Sequence, residues 1–153
     1  MTKHHVGVIQ AGSSLFDTPR TLERMAAHCE AAAEQAIDLV VFPEAYIGGY
    51  PKGLDFGTRV GIRTPEGRDD FLRYWKSAIE VPGPETGRIG SFAAMMKAYL
   101  VVGVIERDGA TLYCTALFFA PDGSLLAKHR KVMPTASERL VWGQGDGSTL
   151  PVL

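Results

Sequence analysis

"DLVVFPE", Asp38–Glu44, is the stretch from which the fold can be read. A short β-branched run without polar alternation is the pattern of a strand buried on both faces, as in a parallel sheet. It ends at Pro43, and Glu44 follows directly, so a carboxylate stands at the carboxyl end of an apolar strand. Upstream, "DTPRTLERMAAHCEAAAEQA" (Asp17–Ala36) reads as a helix, with Thr18 as N-cap and Pro19 at the first helical position. Leu22, Met25, Ala26, Cys29 and Ala33 fall along one face of it. Before that helix, "HVGVIQA" (His5–Ala11) reads as a first strand. Strand, helix, strand in this order is a βαβ unit.

Downstream, Ala45–Arg68 is rich in Gly and Pro and reads as a long functional loop. "DDFLRYWKSAI" is expected to be helical, "EVPGPET" to break it, and "TGRIGSFAAMMKAY" to form another helix leading into the strand "LVVGVIE". "RDGA" and "PDGS" then punctuate two further strands, "TLYCTALFFA" and "LLAKHRK", as hairpins. Ser137–Val141 is expected to form a short turn of helix within a loop-like tail ending in "LPVL". The fold class is α/β with a mixed sheet, and 153 residues suit one domain.

Composition narrows the function. Hydrophobic residues make up 46% and charged residues 22%, which suits a packed core rather than a disordered chain. A net charge of -1 without like-charge blocks gives no footprint for nucleic acid or an anionic membrane. A small, weakly charged molecule fits better as the target. The only apolar run near the N-terminus is "VGVI" in "MTKHHVGVIQAGSS", too short for a signal sequence, and two cysteines cannot build a disulfide framework. Both features predict a cytoplasmic protein.

Three residues carry candidate chemistry. Glu44, at the end of a parallel strand, lies where open α/β sheets place ligand crevices, partly desolvated as a general base needs. Judged alone, it reads more readily as a loop carboxylate facing water or capping a local backbone amide. Lys131 follows a strand in "KHRKVMPTASER", with Glu138 a short loop further on. A lysine between two carboxylates stays charged and can stabilise a developing anion. Beside Lys128 and Arg130 it reads also as part of a solvated basic edge. His129 is expected on the face opposite Lys131 and Arg130, packed and hydrogen-bonded. Cys114 and Cys29 read as inert core thiols. "GQGDGS" lacks the ending of a phosphate-binding loop, and His4 and His5 have no metal-ligand spacing.

Together, "FPEAYIGGYPKG", "VPGPE", "LYCTALFFAPDGSLLAKHRKVMPT" and "ERLVWGQGDGST" resemble the nitrilase family of the carbon–nitrogen hydrolase superfamily, and its true nitrilase branch in particular. The resemblance implies an α-β-β-α sandwich, of which residues 1–153 would supply the N-terminal part of a single domain. It also implies a Glu-Lys-Cys triad with an auxiliary glutamate. Glu44 would be the base, Lys131 the electrostatic stabiliser and Glu138 the orienting acid. Tyr50, in "GGYP", follows Glu44 closely enough to line the same pocket and contact substrate, and reads also as a turn tyrosine packed on the loop; Thr135 and Trp142 fall in the same neighbourhood. The family's nucleophilic cysteine lies in a "CWEN"-like motif one strand beyond "GQGDGST", and the sequence ends at Leu153 ahead of it. The expectation is hydrolysis of an organic nitrile to acid and ammonia, with these residues alone inactive. An amidase, a cyanide-processing enzyme and a non-catalytic truncated relative are the alternatives. The resemblance implies no metal, nucleotide or flavin. It implies a homo-oligomer whose partner is the missing C-terminal half or another copy of the chain.

Overall fold

The computed structural model describes residues 3–153; Met1 and Thr2 of the N-terminal stretch lie outside the described residues. Among the described residues a five-stranded sheet forms, with spatial strand order identical to sequence order. Strands β1 (Val6–Val8), β2 (Leu39–Val41) and β3 (Tyr99–Asp108) are parallel. β4 (Thr111–Phe119) and β5 (Leu125–Arg130) continue the sheet as antiparallel hairpins. The mixed α/β sheet expected from the sequence is therefore the one observed.

Helix α1 (Thr18–Ala33) bridges β1 and β2. Its N-cap is Asp17 rather than Thr18, because the Asp17 carboxylate accepts the Arg20 N–H at 3.0 Å. The Thr18 hydroxyl is turned elsewhere and donates to the Ser77 carbonyl. The buried stripe runs through Leu22, Met25, Cys29 and Ala32, with Ala33 outside it. Helix α2 (Pro65–Ser77) starts earlier than the sequence suggested. Thr64 caps it by accepting the Gly67 N–H, and Pro65 occupies the first turn, where a missing N–H costs nothing. Helix α3 (Pro84–Met96) ends on Lys97 in the left-handed region, and β3 begins two residues later.

The two faces of the sheet differ. Leu100, Val102 and Val104 of β3 point toward α1 and α3 and pack with Leu22, Met25, Ile89 and Phe92. On the other face, among the described residues, no helix covers Val6, Val8, Leu39, Val41, Tyr99 and Val101. Val8 is 76% and Tyr99 51% exposed. Of β2 only Val40 is fully buried, so burial on both faces does not hold for Leu39 and Val41. A second apolar cluster of Ala45, Tyr74, Ile105, Leu112, Cys114 and Trp142 lies where the loop after β2 meets α2 and the β4 end. The candidate site is built on this cluster.

Candidate active site

Lys131 stands between two carboxylates. Its Nζ lies 2.8 Å from Glu44 Oε1 and 3.0 Å from Glu138 Oε2. The lysine is fixed from behind: its backbone N–H donates to the Cys114 carbonyl at 2.8 Å, extending the β4–β5 ladder one residue past β5. Its own carbonyl accepts from the Gly145 N–H at 3.0 Å.

Glu44 reaches the lysine from β2. The Phe42 N–H donates to the Val101 carbonyl, which carries the parallel pairing one residue beyond β2, and the chain then turns through Pro43 and Glu44. This turn lies directly on Gly103 of β3. A Cβ at residue 103 would come within 2.5 Å of the Pro43 carbonyl oxygen and 2.6 Å of Glu44 Cα. Only glycine lets the backbone bearing Glu44 approach so closely.

Glu138 belongs to a short 3-10 helix, Ala136–Leu140. Its Oε1 accepts the Tyr50 hydroxyl at 2.9 Å, and its Oε2 accepts both Lys131 and the Thr135 backbone N–H at 2.6 Å. Its side chain is only 12% exposed, against 52% for Glu44. The two acids are therefore unequal: one is saturated with donors, and the other faces partly into solvent.

The electrostatics follow from these contacts. Burial works against the charge on Lys131, yet its hydrogen bonds to Glu44 and Glu138 outweigh that and hold the ammonium above the usual lysine range. Burial likewise works against ionised Glu138, but the Thr135 amide, Lys131 and Tyr50 hold its carboxyl below the usual range. Lys131 is thus a fixed cation at neutral pH and Glu138 a fixed anion.

The sequence-derived candidates meet here. Tyr50 donates to Glu138, and its ring stands edge-on to Trp142, with centroids 5.7 Å apart. Trp142 is buried, with the Lys131 ammonium 5.8 Å from its ring centroid. Thr135 contributes its backbone amide, its side chain being exposed. His129 requires a correction. It lines the same cleft as Lys131, because residues two apart along a strand share a face, and it is Arg130 that points away. Its packed, hydrogen-bonded character holds, with Nδ1 2.8 Å from the Thr149 carbonyl.

Cys114 is buried as expected but is placed inside the site, its Sγ 3.4 Å from Glu44 Oε1. Burial, followed by the negative charge of Glu44, pushes its thiol up to about 12. Cys29 is pushed up to about 12 by burial in the helical layer, assisted by Glu30. A cleft of ≈ 360 Å³ opens beside Glu44, Cys114, His129 and Lys131. A second cavity of ≈ 430 Å³ runs from Glu138 and Trp142 past Tyr50 to Leu54 and Phe56. Sequence reading missed Gly103, Tyr74 and the Cys114 contact. For Cys114, the alternation of β4 was the available signal, since it sets Leu112, Cys114 and Ala116 on one face.

Among the described residues, no cluster of three or more His, Cys, Asp and Glu side chains could hold a metal ion, and no helix is long and apolar enough to cross a membrane.

Known proteins are similar to this chain in sequence and in fold. Residues 5–153 match the carbon–nitrogen hydrolase family. Nitrilase 2 of Arabidopsis thaliana is 56% identical over 145 residues, covering 95% of this chain and 43% of its own. A bifunctional nitrilase/nitrile hydratase of Nicotiana tabacum is 56% identical over 145 residues, covering 95% of this chain and 42% of its own. The chain thus spans a little over two fifths of the length of these curated relatives. Among solved structures, an amidase from Nesterenkonia sp. superposes with a TM-score of 0.67 at 19% identity, over 94% of this chain and 48% of its own. A carbon–nitrogen hydrolase from Helicobacter pylori G27 gives 0.64 at 21% identity, over 94% and 45%.

Proposed function

The chain belongs to the carbon–nitrogen hydrolase family, and from that premise we propose that it is the N-terminal part of a nitrilase domain that converts an organic nitrile to a carboxylic acid and ammonia. The observation that carries this reading is Lys131 held between Glu44 and Glu138, at 2.8 and 3.0 Å. Identity of about 56% to plant nitrilases supports the nitrile branch.

In this proposal the nucleophile is a cysteine thiol supplied by polypeptide beyond Leu153, since Cys29 and Cys114 are both buried with thiols pushed up to about 12. Glu44, the acid left half open to the cleft, takes the thiol proton as sulfur attacks the nitrile carbon. That proton passes to nitrogen, and a covalent thioimidate results. Lys131 favours the negative charge that builds on nitrogen during attack, and Glu138, with its donors, keeps the ammonium aimed. One water, deprotonated by Glu44, adds to the thioimidate. Loss of ammonia leaves a thioester, and a second water releases the acid. Expulsion of sulfur in place of ammonia at the tetrahedral stage gives an amide instead.

The same proposal covers the bare sheet face and oligomeric state. Val6, Val8, Tyr99 and Val101 form an apolar surface suited to a second sheet, from the remainder of the domain or from another copy of the chain. On this reading the 153 residues alone hydrolyse no nitrile.

The deciding experiment assays the chain alone and a chain extended to the length of its relatives, on paired nitrile and amide substrates, measuring ammonia, acid and amide. Ammonia and acid from nitrile by the extended chain only, lost in Glu44→Gln and Lys131→Met, support the proposal. Turnover of amide with no turnover of nitrile makes it an amidase, and activity of the short chain through Cys114 removes the proposed nucleophile.

A further inference from the structure

Tyr74 takes no part in the chemistry proposed above, yet it is the most deeply buried polar side chain near the site. It lies on α2 with no exposed surface. Its ring packs against Phe56 at 5.5 Å and Phe16 at 6.3 Å between centroids. A phenol so placed must find hydrogen-bond partners, because an unpaired hydroxyl in an apolar cluster is costly. Tyr74 has two. Its hydroxyl donates to the Gly49 carbonyl at 3.0 Å and accepts the Trp142 indole N–H at 3.1 Å.

Those partners come from two segments that are remote in sequence. Gly49 immediately precedes Tyr50, whose hydroxyl donates to Glu138. Trp142 follows the 3-10 helix bearing Glu138, donates its backbone N–H to the Glu138 carbonyl at 2.8 Å, and places its ring beside both Tyr50 and Lys131. The turn at Gly48–Gly49 has little freedom to adjust. Both glycines have left-handed φ, +93° and +86°, and a Cβ on either would lie 2.8 Å from Ile105 or Leu15. The carbonyl that receives the phenol is therefore held in one orientation. Ser77 reinforces it from the next turn of α2, its hydroxyl donating to the Gly48 carbonyl at 3.3 Å.

From this geometry we infer that Tyr74 is a positioning residue: its hydroxyl clamps the Tyr50 turn to the Trp142 indole and so holds Glu138 in contact with Lys131. Without the clamp, Tyr50 and Trp142 still pack, but the buried hydrogen-bonded link between Gly49 and the Trp142 indole is lost. The Tyr50–Glu138 hydrogen bond then lengthens, and Lys131 shares its charge less with Glu138 and more with Glu44. The inference rests on the acid–lysine site proposed above but predicts a property of the folded protein that needs no turnover.

The test is Tyr74→Phe, which keeps the ring packing and removes only the hydroxyl. Two signals are read by NMR in the purified protein: the indole N–H of Trp142, assigned with Trp142→Phe against Trp75, and the carboxyl titration of Glu138. The expected result is a displaced indole resonance together with an upward shift of the Glu138 midpoint by about half a unit or more. Tyr50→Phe should raise the same midpoint and leave the Trp142 indole bonded. A lower unfolding temperature with an unmoved Glu138 titration makes Tyr74 a packing residue only and overturns the inference. If the Glu138 midpoint shifts but Lys131→Met leaves turnover of the extended enzyme intact, the clamp stands and the proposed chemistry fails.

Discussion

The thiol of Cys114 and the carboxylate of Glu44 are in direct contact, Sγ to Oε1 at 3.4 Å, although 70 residues separate them in the chain. A buried neutral S–H beside an anion acts as a donor, and the anion in turn discourages the thiolate. Cys114 thus helps to set the orientation of Glu44 and is a poor nucleophile itself.

Both thiols should therefore resist modification in the folded protein. With Cys29 and Cys114 pushed up to about 12, the thiolate fraction at neutral pH is negligible and access is poor. Disulfide-exchange reagents should label neither at neutral pH until denaturant is added, and then both. Rapid labelling of Cys114 in the native state contradicts this placement.

Gly103→Ala should disturb both stability and the site. The added methyl meets the Pro43 carbonyl and Glu44 Cα, which are backbone atoms that cannot swing aside. Overpacking of this kind costs about 2 kcal/mol. Urea unfolding should show that loss, and the turn bearing Glu44 should shift away from Lys131.

Glu106→Gln should be among the most destabilising single changes. Glu106 is only 1% exposed, with Arg130, Lys128 and Thr115 all donating to it. Losing the carboxylate leaves two cations without their common counter-ion, worth roughly 3 kcal/mol for a buried pair. Chemical denaturation compared with Arg130→Met would measure it.

The same group gives the protein an acid limit. Burial works against ionised Glu106, but Arg130, Lys128 and Thr115 hold its carboxyl below the ordinary value of 4.5, and Glu138 is lowered by its own donors. A depressed folded value means the contribution is complete above about 4.5 and is lost as pH falls through the folded values. Lys131 is raised above its ordinary 10.5, so its contribution is complete below that and lost only as pH rises through the raised value. Stability measured against pH should fall on the acid side, and less steeply in Glu106→Gln.

Lys131→Met should abolish turnover in the extended enzyme by a factor of at least ~10³, the scale of removing a fixed charge aimed at a developing anion. Lys131→Arg should not restore it, because a planar guanidinium cannot sit as a point charge between two carboxylates. Steady-state ammonia release measures both.

Much of the fold is legible in residue order. The βαβ unit, the two hairpins and the mixed sheet follow from "DLVVFPE", "RDGA" and "PDGS", since strand periodicity and turn residues are local signals. Glu44, Lys131 and Glu138 are singled out by the family resemblance more than by local pattern, and both carboxylates lie within 3.0 Å of the Lys131 ammonium. What escapes such reading is contact between segments. Nothing local tells that Gly103 is shaped by the turn after β2, that Cys114 touches Glu44, or that Tyr74 joins Gly49 to Trp142. Helix starts differ from expectation for another reason. At α1 an Asp and a Thr stand side by side, both competent caps, and the expected one is not the one used. At α2 a Thr–Pro start is hidden inside a glycine-rich loop.

Strand order that repeats sequence order has a consequence for biosynthesis. As the polypeptide leaves the ribosome, each new strand finds its neighbour already waiting at the growing edge, and no earlier pairing has to open to admit it. Glu44 is made early and stays without its cation until residue 131 emerges, so the charged centre can form only after β5 is in place.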